Sequence, residues 1–342
     1  MFQVELELDK LISQAVTENA SDIHFDATKD GLLIRFRIDG VLDIHEKIEQ
    51  DAADKLINRI KILSGMDDIS EKRLPQDGRW CWQGKDKKDV MLRVSSLPSV
   101  YGETIVCRIV GSENCYKSLE QLGMTEEVRQ IVINLLQRPY GLLLISGPTG
   151  SGKTSTLYAL LRLLNTVTDN VISLENPVEA DIPGAIQVQI NPKAGLTFPK
   201  ALRAVLRQDP DTIMVGEIRD RETAELAVQA ALTGHRVLAT IHTNTALGVR
   251  ERLLDMGIED YLVRATLLGA IAQRLVRRKT SCGFCGRLAL YELLALPDNS
   301  VDWTHCEQYV RPTLLESGTL AVRMGLTTVD EVRRNGIEIR GV

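Results

Sequence analysis

The chain has 342 residues, 44% of them hydrophobic and 25% charged, which is typical of a globular protein with two or three domains. The formal net charge of −5 argues against nucleic acid as the main partner, because phosphate binding usually requires a basic surface. No apolar run reaches the roughly 18 residues that cross a bilayer, and the N-terminus lacks a signal-peptide pattern. We therefore expect a cytoplasmic protein whose membrane contact is peripheral.

The first 110 residues are predicted to form an α/β domain. Apolar residues at helical spacing predict an N-terminal helix. Alternating apolar and basic residues ahead of Asp39-Gly40 predict two antiparallel strands with Arg35 and Arg37 on one face. Arg79 follows in a segment rich in turn-forming residues. The predicted elements also include helices over 3–17 and 51–63 and strands over 90–97 and 103–110.

The next domain contains the strongest motif of the chain. Residues 111–121 are polar and are predicted to form a linker, after which an apolar run over 142–145 enters a glycine-rich loop that opens into a helical pattern. Glycines in such a loop let backbone N–H groups turn toward a phosphate at the positive end of the helix. Lys153 would then supply charge to the β- and γ-phosphates of a nucleotide, and Thr154 a hydroxyl ligand for magnesium. The predicted nucleotide-binding residues are Gly147, Pro148, Thr149, Gly150, Ser151, Gly152, Lys153, Thr154 and Ser155.

Three more apolar runs alternate with helical patterns, as expected for a parallel sheet. The first ends at Glu175, the second at Glu217 and the third at His242. Ligands of open parallel sheets bind at the carboxyl ends of the strands. We therefore predict that these three side chains converge on one site.

The whole run of motifs resembles the secretion ATPases of type II secretion and type IV pilus assembly, which are related to RecA-like hexameric motors. A series of motifs in one order is far more specific than a phosphate loop alone. The segments that carry the resemblance are Ser21-Asp22-Ile23-His24, Arg35 to Gly40, Leu74 to Arg79, the phosphate loop, Glu175 to Glu179, Ala201 to Asp211, Gly216 to Asp220, Gly234 to Asn244, and Ala272 to Arg278.

The resemblance implies an α/β fold with a RecA-like P-loop motor domain over 122–278. A smaller PAS-like α/β domain would occupy 1–110, and a short C-terminal helical region with a shortened cysteine element would occupy 279–342. The segment that many family members use to dock on an inner-membrane partner is not recognisable, so the chain is expected to begin at the second N-terminal domain of the family.

Hydrolysis of ATP needs a carboxylate that orients or deprotonates water beside the γ-phosphate, and Glu217 and Glu175 are the two candidates at strand ends. We predict Glu217 as the main catalytic residue and Glu175 as a group that polarises water or supports magnesium. In the alternative, each glutamate only caps a strand end. His242 is predicted to hydrogen-bond on the γ-phosphate side.

Five arginines are candidates for a contact with phosphate or with a neighbouring subunit. Arg203 and Arg207 lie four residues apart on a predicted helix and would share one face. Arg35, Arg37 or Arg79 would act as a latch if ATP binds between the phosphate loop and the N-terminal domain. The alternative for all five is a solvated surface.

Two features depart from the family pattern. Asn176 stands where relatives usually carry aspartate, which removes one charge near the metal. The family commonly holds zinc on two CxxC pairs, whereas here only Cys282 and Cys285 form such a pair, two of the four ligands of a closed site. His305 and Cys306 would be needed to complete a zinc site; we expect instead a turn without metal.

The leading prediction is a homo-hexameric, magnesium-dependent ATPase that drives assembly of a type IV pilus or a secretion pseudopilus through an inner-membrane platform protein. The segment Ala272-Gln273-Arg274-Leu275 looks like the assembly members of the family rather than the retraction members. Two alternatives remain: a nucleotide-dependent scaffold with little turnover, and a DNA-translocating motor of the uptake or conjugation kind. No specific nucleic-acid contact is expected, since a basic stripe with interspersed aromatic residues is missing from the sequence.

Overall fold

The structure is a computed structural model that describes residues 4–66, 68–84, 89–110, 117–164, 167–297 and 303–339. It divides into two compact units, residues 1–112 and 113–342. None of its described helices is long and apolar enough to cross a membrane.

The first unit is a six-stranded antiparallel sheet with two helices. The sheet order is β3-β2-β1-β6-β5-β4. Its core consists of apolar side chains from both helices and the strands, among them Leu11, Phe25, Leu56 and Leu92, each fully buried. The elements are α1 Val4–Thr17, β1 Asp22–Thr28, β2 Gly31–Ile38, β3 Val41–Glu49, α2 Gln50–Leu63, β4 Gln76–Gln83, β5 Asp89–Ser99 and β6 Gly102–Val110.

The predicted hairpin at Asp39-Gly40 is present between β2 and β3. Both turn residues have positive φ, 50° and 85°, as a two-residue hairpin turn of type I′ requires. The turn-rich segment that contains Arg79 is only partly a turn, because β4 begins at Gln76 and pairs along its length with β5. Trp80 and Trp82 face the core from alternate positions of β4, so burial of two large side chains stabilises a strand where local signals favour turns.

The second unit is built around a seven-stranded sheet flanked by helices. Its elements are α3 Glu126–Leu136, β7 Gly141–Ser146, α4 Lys153–Leu161, β8 Val171–Glu175, β9 Ile186–Gln189, α5 Phe198–Val205, β10 Thr212–Val215, α6 Arg221–Leu232, β11 Arg236–Ile241, α7 Gly248–Asp255, α8 Asp260–Thr266, β12 Leu267–Thr280, β13 Gly283–Ala295, α9 Leu314–Arg323 and α10 Val329–Arg334, with 3-10 helices at Pro192–Ala194 and Trp303–Tyr309.

The sheet order is β13-β12-β7-β11-β10-β8-β9, and every neighbouring pair is parallel except β12 with β13. All six residues of β7 are buried. Leu142 and Leu144 pack into one apolar cluster, and Leu143 and Ile145 into another. Both faces of the strand are therefore covered, which explains why its sequence is apolar throughout rather than alternating.

The C-terminal region differs from the helical region that we predicted. Strands β12 and β13 pair over most of their length, so a domain limit at residue 278 cuts through a hairpin that belongs to the large sheet. Helices α9 and α10 follow the hairpin and pack on it through Leu314, Ala321 and Val332. The charged residues Arg277, Arg278 and Lys279 concealed the strand pattern, since they lie at the end of β12 that projects toward solvent.

Candidate active site

The glycine-rich loop lies between the end of β7 and the start of α4. Lys153 is the first residue of α4, and Gly152 before it has a φ of 87°, a conformation that L side chains rarely adopt. Gly147 at the start of the loop has a φ of 145°, and a Cβ there would lie 2.5 Å from Oγ of Ser151. The loop thus needs glycine at these positions so that its backbone can fold over the helix N-terminus.

The ammonium of Lys153 is held inside this loop. Its Nζ donates to the carbonyl oxygens of Gly147 at 2.8 Å and Pro148 at 3.0 Å. Burial lowers the pKa of Lys153 to about 8, while nearby Glu217 partly opposes this shift. Because both hydrogen-bond partners are neutral, the loop presents a desolvated positive charge, which would be stabilised by an anionic phosphate.

Two serine hydroxyls, one in the loop and one at the end of β7, are buried without a hydrogen-bond partner in the described part of the chain. Oγ of Ser151 in the loop and Oγ of Ser146 at the end of β7 are buried, and neither has a hydrogen-bond partner among the described residues. Buried polar groups in native proteins usually have partners. The residues present therefore fit a bound polyphosphate: a buried cation, a helix N-terminus and a hydroxyl that still lacks its hydrogen bond.

Glu217 and His242 follow β10 and β11 at the same edge of the sheet as the loop. Burial and the charge of Lys153 lower the pKa of His242, and Glu217 opposes the shift, so the surroundings favour the neutral imidazole. The carboxylate of Glu217 pairs with Arg219 at 2.7 Å and retains 19% exposure. Lys153, Glu217 and His242 thus influence one another electrostatically, whereas the convergence of Glu175, Glu217 and His242 on one site stays a prediction.

Glu175 lies at the predicted strand end, but its carboxylate is hydrogen-bonded to side chains outside the phosphate loop. Oε2 accepts a hydrogen bond from the hydroxyl of Tyr158 in α4, and Oε1 accepts from Ser173 and Gln187. The residue is only 2% exposed. Its predicted role beside magnesium would require the carboxylate to leave these three partners, whereas Glu217 is already placed near Lys153.

The predicted ligands of magnesium and of zinc lie in different surroundings. Thr154, the residue after Lys153, is half-buried in the first turn of α4. Within the described part of the chain, no group of three or more His, Cys, Asp or Glu side chains is arranged to hold a metal ion. Cys282 lies in the β12–β13 turn and Cys285 on β13, and both are exposed.

The predicted pairing of Arg203 and Arg207 on one helix face is wrong. Helix α5 ends at Val205, so Arg207 lies beyond it, and its guanidinium donates to the carbonyl of Arg203 at 2.7 Å. Arg203 is bound to Glu222 of α6. The segment Gln208-Asp209-Pro210 cannot continue a helix, which explains why the helix ends before the arginine.

The N-terminal arginines lie within the first unit. Arg35 donates to Asp26 at 2.7 Å, and Arg37 lies 3.7 Å from Asp22 and donates to the carbonyl of Gly40. Arg79 is exposed on β4. A latch role for the three arginines remains a prediction.

Two residues of the site were used in the sequence only as marks of family resemblance. Gln273 and Arg274 lie on β12 beside β7, 1% and 8% exposed. The Gln273 side chain contacts the phosphate loop, and Arg274 donates to the carbonyl of Asn244 at 2.9 Å. A polar pair inside an otherwise apolar stretch was the signal that would have identified them.

A largely parallel sheet with a glycine-rich loop after an interior strand, a buried lysine at the helix N-terminus and an acidic residue at the carboxyl end of another strand defines the P-loop nucleotide hydrolases. Within that class, a family model described as type II/IV secretion system protein matches residues 2–334. The chain belongs to this family.

Individual relatives support the same family assignment. The chain is 41% identical to type II secretion system protein E of Pseudomonas aeruginosa, over 96% of this chain and 74% of that protein. It is 50% identical to the protein of the same name from Dickeya dadantii, over 81% of this chain and 55% of the relative. The alignments thus span between about half and three quarters of these relatives.

Among solved structures, the chain is similar to the pilus retraction motor PilT with bound ADP, with a TM-score of 0.68 and 26% identity over 96% of each chain. The resemblance predicted from the sequence is confirmed, and so is the mixed α/β fold. Family and site together identify an ATP-binding hydrolase of protein transport.

Proposed function

We propose that this chain is the ATP-hydrolysing motor of a type II secretion system, active as a magnesium-dependent homo-hexamer on the cytoplasmic face of the inner membrane. It would act on a platform protein in that membrane and so drive assembly of a pseudopilus. The observation that carries the proposal is the phosphate loop, with the desolvated Lys153 ammonium bound to neutral carbonyls and a buried Ser151 hydroxyl that lacks a partner in the described part of the chain. The proposed role in type II secretion rests on the names of the relatives.

In the proposed mechanism, the loop backbone and Lys153 bind the phosphates of ATP, and Thr154 would hold magnesium. Magnesium, when bound, neutralises charge on the β- and γ-phosphate oxygens. Glu217 orients the attacking water and accepts its proton, for which its partly exposed carboxylate near Lys153 is suited. His242 supplies a hydrogen bond on the γ-phosphate side.

The proposal is tested by the steady-state ATPase rate as a function of protein concentration, for the wild type and Glu217→Gln. We expect the rate per subunit to rise with concentration, as in an enzyme that works as an oligomer. The variant should lose at least about 100-fold in kcat, because it loses the group that accepts a proton in the transition state.

Glu127→Gln is the matched control, since Glu127 is an exposed residue of α3 and the substitution changes the charge equally. It should leave the rate unchanged. A Glu217→Gln variant as active as this control would overturn the catalytic assignment.

A second candidate, a nucleotide-dependent scaffold with little turnover, is favoured by one observation. The Glu175 carboxylate is bound to Tyr158, Ser173 and Gln187 rather than directed toward Lys153. Single-turnover phosphate release from bound ATP distinguishes the two candidates. Release within seconds supports the motor, whereas bound ATP that survives for many minutes in the assembled protein supports the scaffold.

A further inference from the structure

Strand β12 places two consecutive polar side chains in a buried part of the sheet. Gln273 and Arg274 are almost fully buried, although the flanking residues Ala272 and Leu275 are apolar. Burial of an amide or a guanidinium is costly unless hydrogen bonds replace those to water. The partners of these two side chains therefore indicate what they do.

Gln273 joins the phosphate loop to the helix behind it. Its Nε2 donates to the main-chain carbonyl of Ser151, and its Oε1 accepts from Oγ1 of Thr156 at 2.9 Å. Thr156 is completely buried in α4. The main-chain oxygen of Gln273 also lies against the start of the loop, 2.6 Å from where a Cβ on Gly147 would be.

Arg274 contacts a different loop. Its guanidinium donates at 2.9 Å to the carbonyl of Asn244, which follows the β11 end that carries His242. A second guanidinium nitrogen donates to the carbonyl of Gln273 at 3.1 Å. Two neighbouring residues of one strand thus hold separate loops of the same site.

We propose that Gln273 is a positioning residue that holds the phosphate loop in its nucleotide-binding conformation before the nucleotide arrives, and that Arg274 positions the loop carrying His242. The inference rests on the proposed binding of ATP at this loop. A loop that is already ordered loses less conformational entropy when it binds. Removal of Gln273 should therefore weaken binding of nucleotide, whereas removal of Arg274 should affect turnover of bound nucleotide.

The test compares Gln273→Leu with Arg274→Met in the 342-residue chain. Affinity is measured by fluorescence titration with the ADP analogue mant-ADP, and kcat at saturating ATP. We expect Gln273→Leu to raise Kd roughly tenfold and to change kcat by less than about twofold, the pattern of lost binding that is equal in ground and transition states. Arg274→Met should show the reverse, a lower kcat with Kd within about twofold of the wild type.

Thr156→Val gives an independent test that nearly preserves side-chain shape. It removes the donor to Gln273 and should raise Kd about threefold in the wild-type background, with no further rise in the Gln273→Leu background, because both substitutions break the same link. Should Gln273→Leu fail to fold, Thr156→Val alone decides, and an unchanged Kd there overturns the inference.

The outcomes separate this inference from the proposed function. If the wild type does not bind mant-ADP, ATP binding at the loop is wrong. If the wild type binds and both strand variants raise Kd equally, or neither does, the loop is bound but the separate roles of Gln273 and Arg274 are wrong. Melting temperatures of all variants show whether a change in Kd merely follows a loss of stability.

Discussion

The hydroxyl of Tyr158 donates a hydrogen bond to Oε2 of Glu175 and so joins the helix that follows the phosphate loop to the end of β8. The same hydroxyl accepts hydrogen bonds from the backbone N–H groups of Glu179 and Ala180, at 3.1 and 3.3 Å. Burial and the contact with Glu175 raise the pKa of Tyr158 far above its usual value. The hydroxyl therefore keeps its proton as the donor to Glu175 and, as an acceptor, fixes the segment after β8.

Tyr158→Phe should destabilise the second unit by about 1–3 kcal/mol, because a buried carboxylate oxygen and two backbone N–H groups lose their partner. The control is Tyr291→Phe, since Tyr291 is also buried but its hydroxyl donates to a main-chain carbonyl, that of Leu122, rather than to a buried carboxylate. Thermal melting should show a larger decrease for Tyr158→Phe. Equal decreases would mean that the contact of Tyr158 with the Glu175 carboxylate contributes no more than a contact with a main-chain carbonyl.

A second prediction concerns acid stability at the contact between β12 and α10. Hydrogen bonding to Arg277 lowers the pKa of Glu331, and Arg334 adds to the shift. A carboxyl group whose pKa is lowered by folding stabilises the protein above its unfolded pKa, and this stabilisation is lost as pH falls through the folded value. The wild type should therefore exceed Glu331→Gln in stability at pH 7.

The difference between wild type and Glu331→Gln should shrink once the pH falls below the ordinary value of 4.5. Urea unfolding of both proteins at pH 7, 5 and 3.5 measures it. Asp330→Asn is the control, because Asp330 is an exposed neighbour of Glu331 in the first turn of the same helix, and its replacement removes one negative charge while the contact between Glu331 and Arg277 stays in place. A stability difference that is independent of pH would contradict the assignment.

Much of the nucleotide site was predictable because its signals are local. The apolar run of β7, the glycine spacing of the loop and the acidic residue after β10 each follow from the conformation of a few consecutive residues. The side-chain direction of Glu175 was not predictable in this way. It depends on Tyr158 and Gln187, which come from other elements, and the sequence contains no sign that these residues meet.

One strand and one hairpin were not predicted, and contacts between distant segments explain both cases. Strand β4 was missed because Pro75 and Gly78 indicate turns, while the pairing with β5 and the burial of Trp80 that stabilise the strand are contacts between distant segments. The hairpin of β12 and β13 was missed because its outer end is charged. In both cases tertiary contacts outweigh local preference.

A third prediction concerns a buried ion pair in the first unit. Nζ of Lys61 donates to Oε1 of Glu103 at 2.8 Å and to the carbonyl of Glu71 at 2.7 Å, and neither side chain of the pair is more than 2% exposed. Lys61→Met should cost about 3–5 kcal/mol, because it leaves a buried carboxylate without its countercharge.

The double variant Lys61→Met, Glu103→Leu should recover most of that loss, since neither charge then remains buried. Urea unfolding monitored by tryptophan fluorescence is suitable, because Trp80 and Trp82 lie in the core of this unit. Lys72→Met is the exposed control: Lys72 lies 3.9 Å from Asp54 at the surface, and its loss should change stability by less than about 0.5 kcal/mol. If Lys61→Met were as mild as this control, the buried pair would contribute little.

The last prediction separates two reasons why the phosphate loop contains glycine: a positive φ and a lack of space for a Cβ. Gly147 and Gly150 both have positive φ, 145° and 78°. A Cβ on Gly150 meets nothing within 4 Å, whereas one on Gly147 would lie 2.5 Å from Oγ of Ser151 and 2.6 Å from the main-chain oxygen of Gln273. Gly150→Ala should therefore cost only the backbone strain, about 1–2 kcal/mol.

Gly147→Ala should cost at least about 1 kcal/mol more than Gly150→Ala, because the strand oxygen of Gln273 cannot move without disturbing β12. Its Kd for mant-ADP should rise further than that of Gly150→Ala, since the loop must shift to make room for the methyl group. Thermal melting without nucleotide measures the first effect and fluorescence titration the second. Equal melting temperatures would show that the loop relaxes freely around Gly147, and the close packing of the loop against β12 would then not be what fixes its conformation.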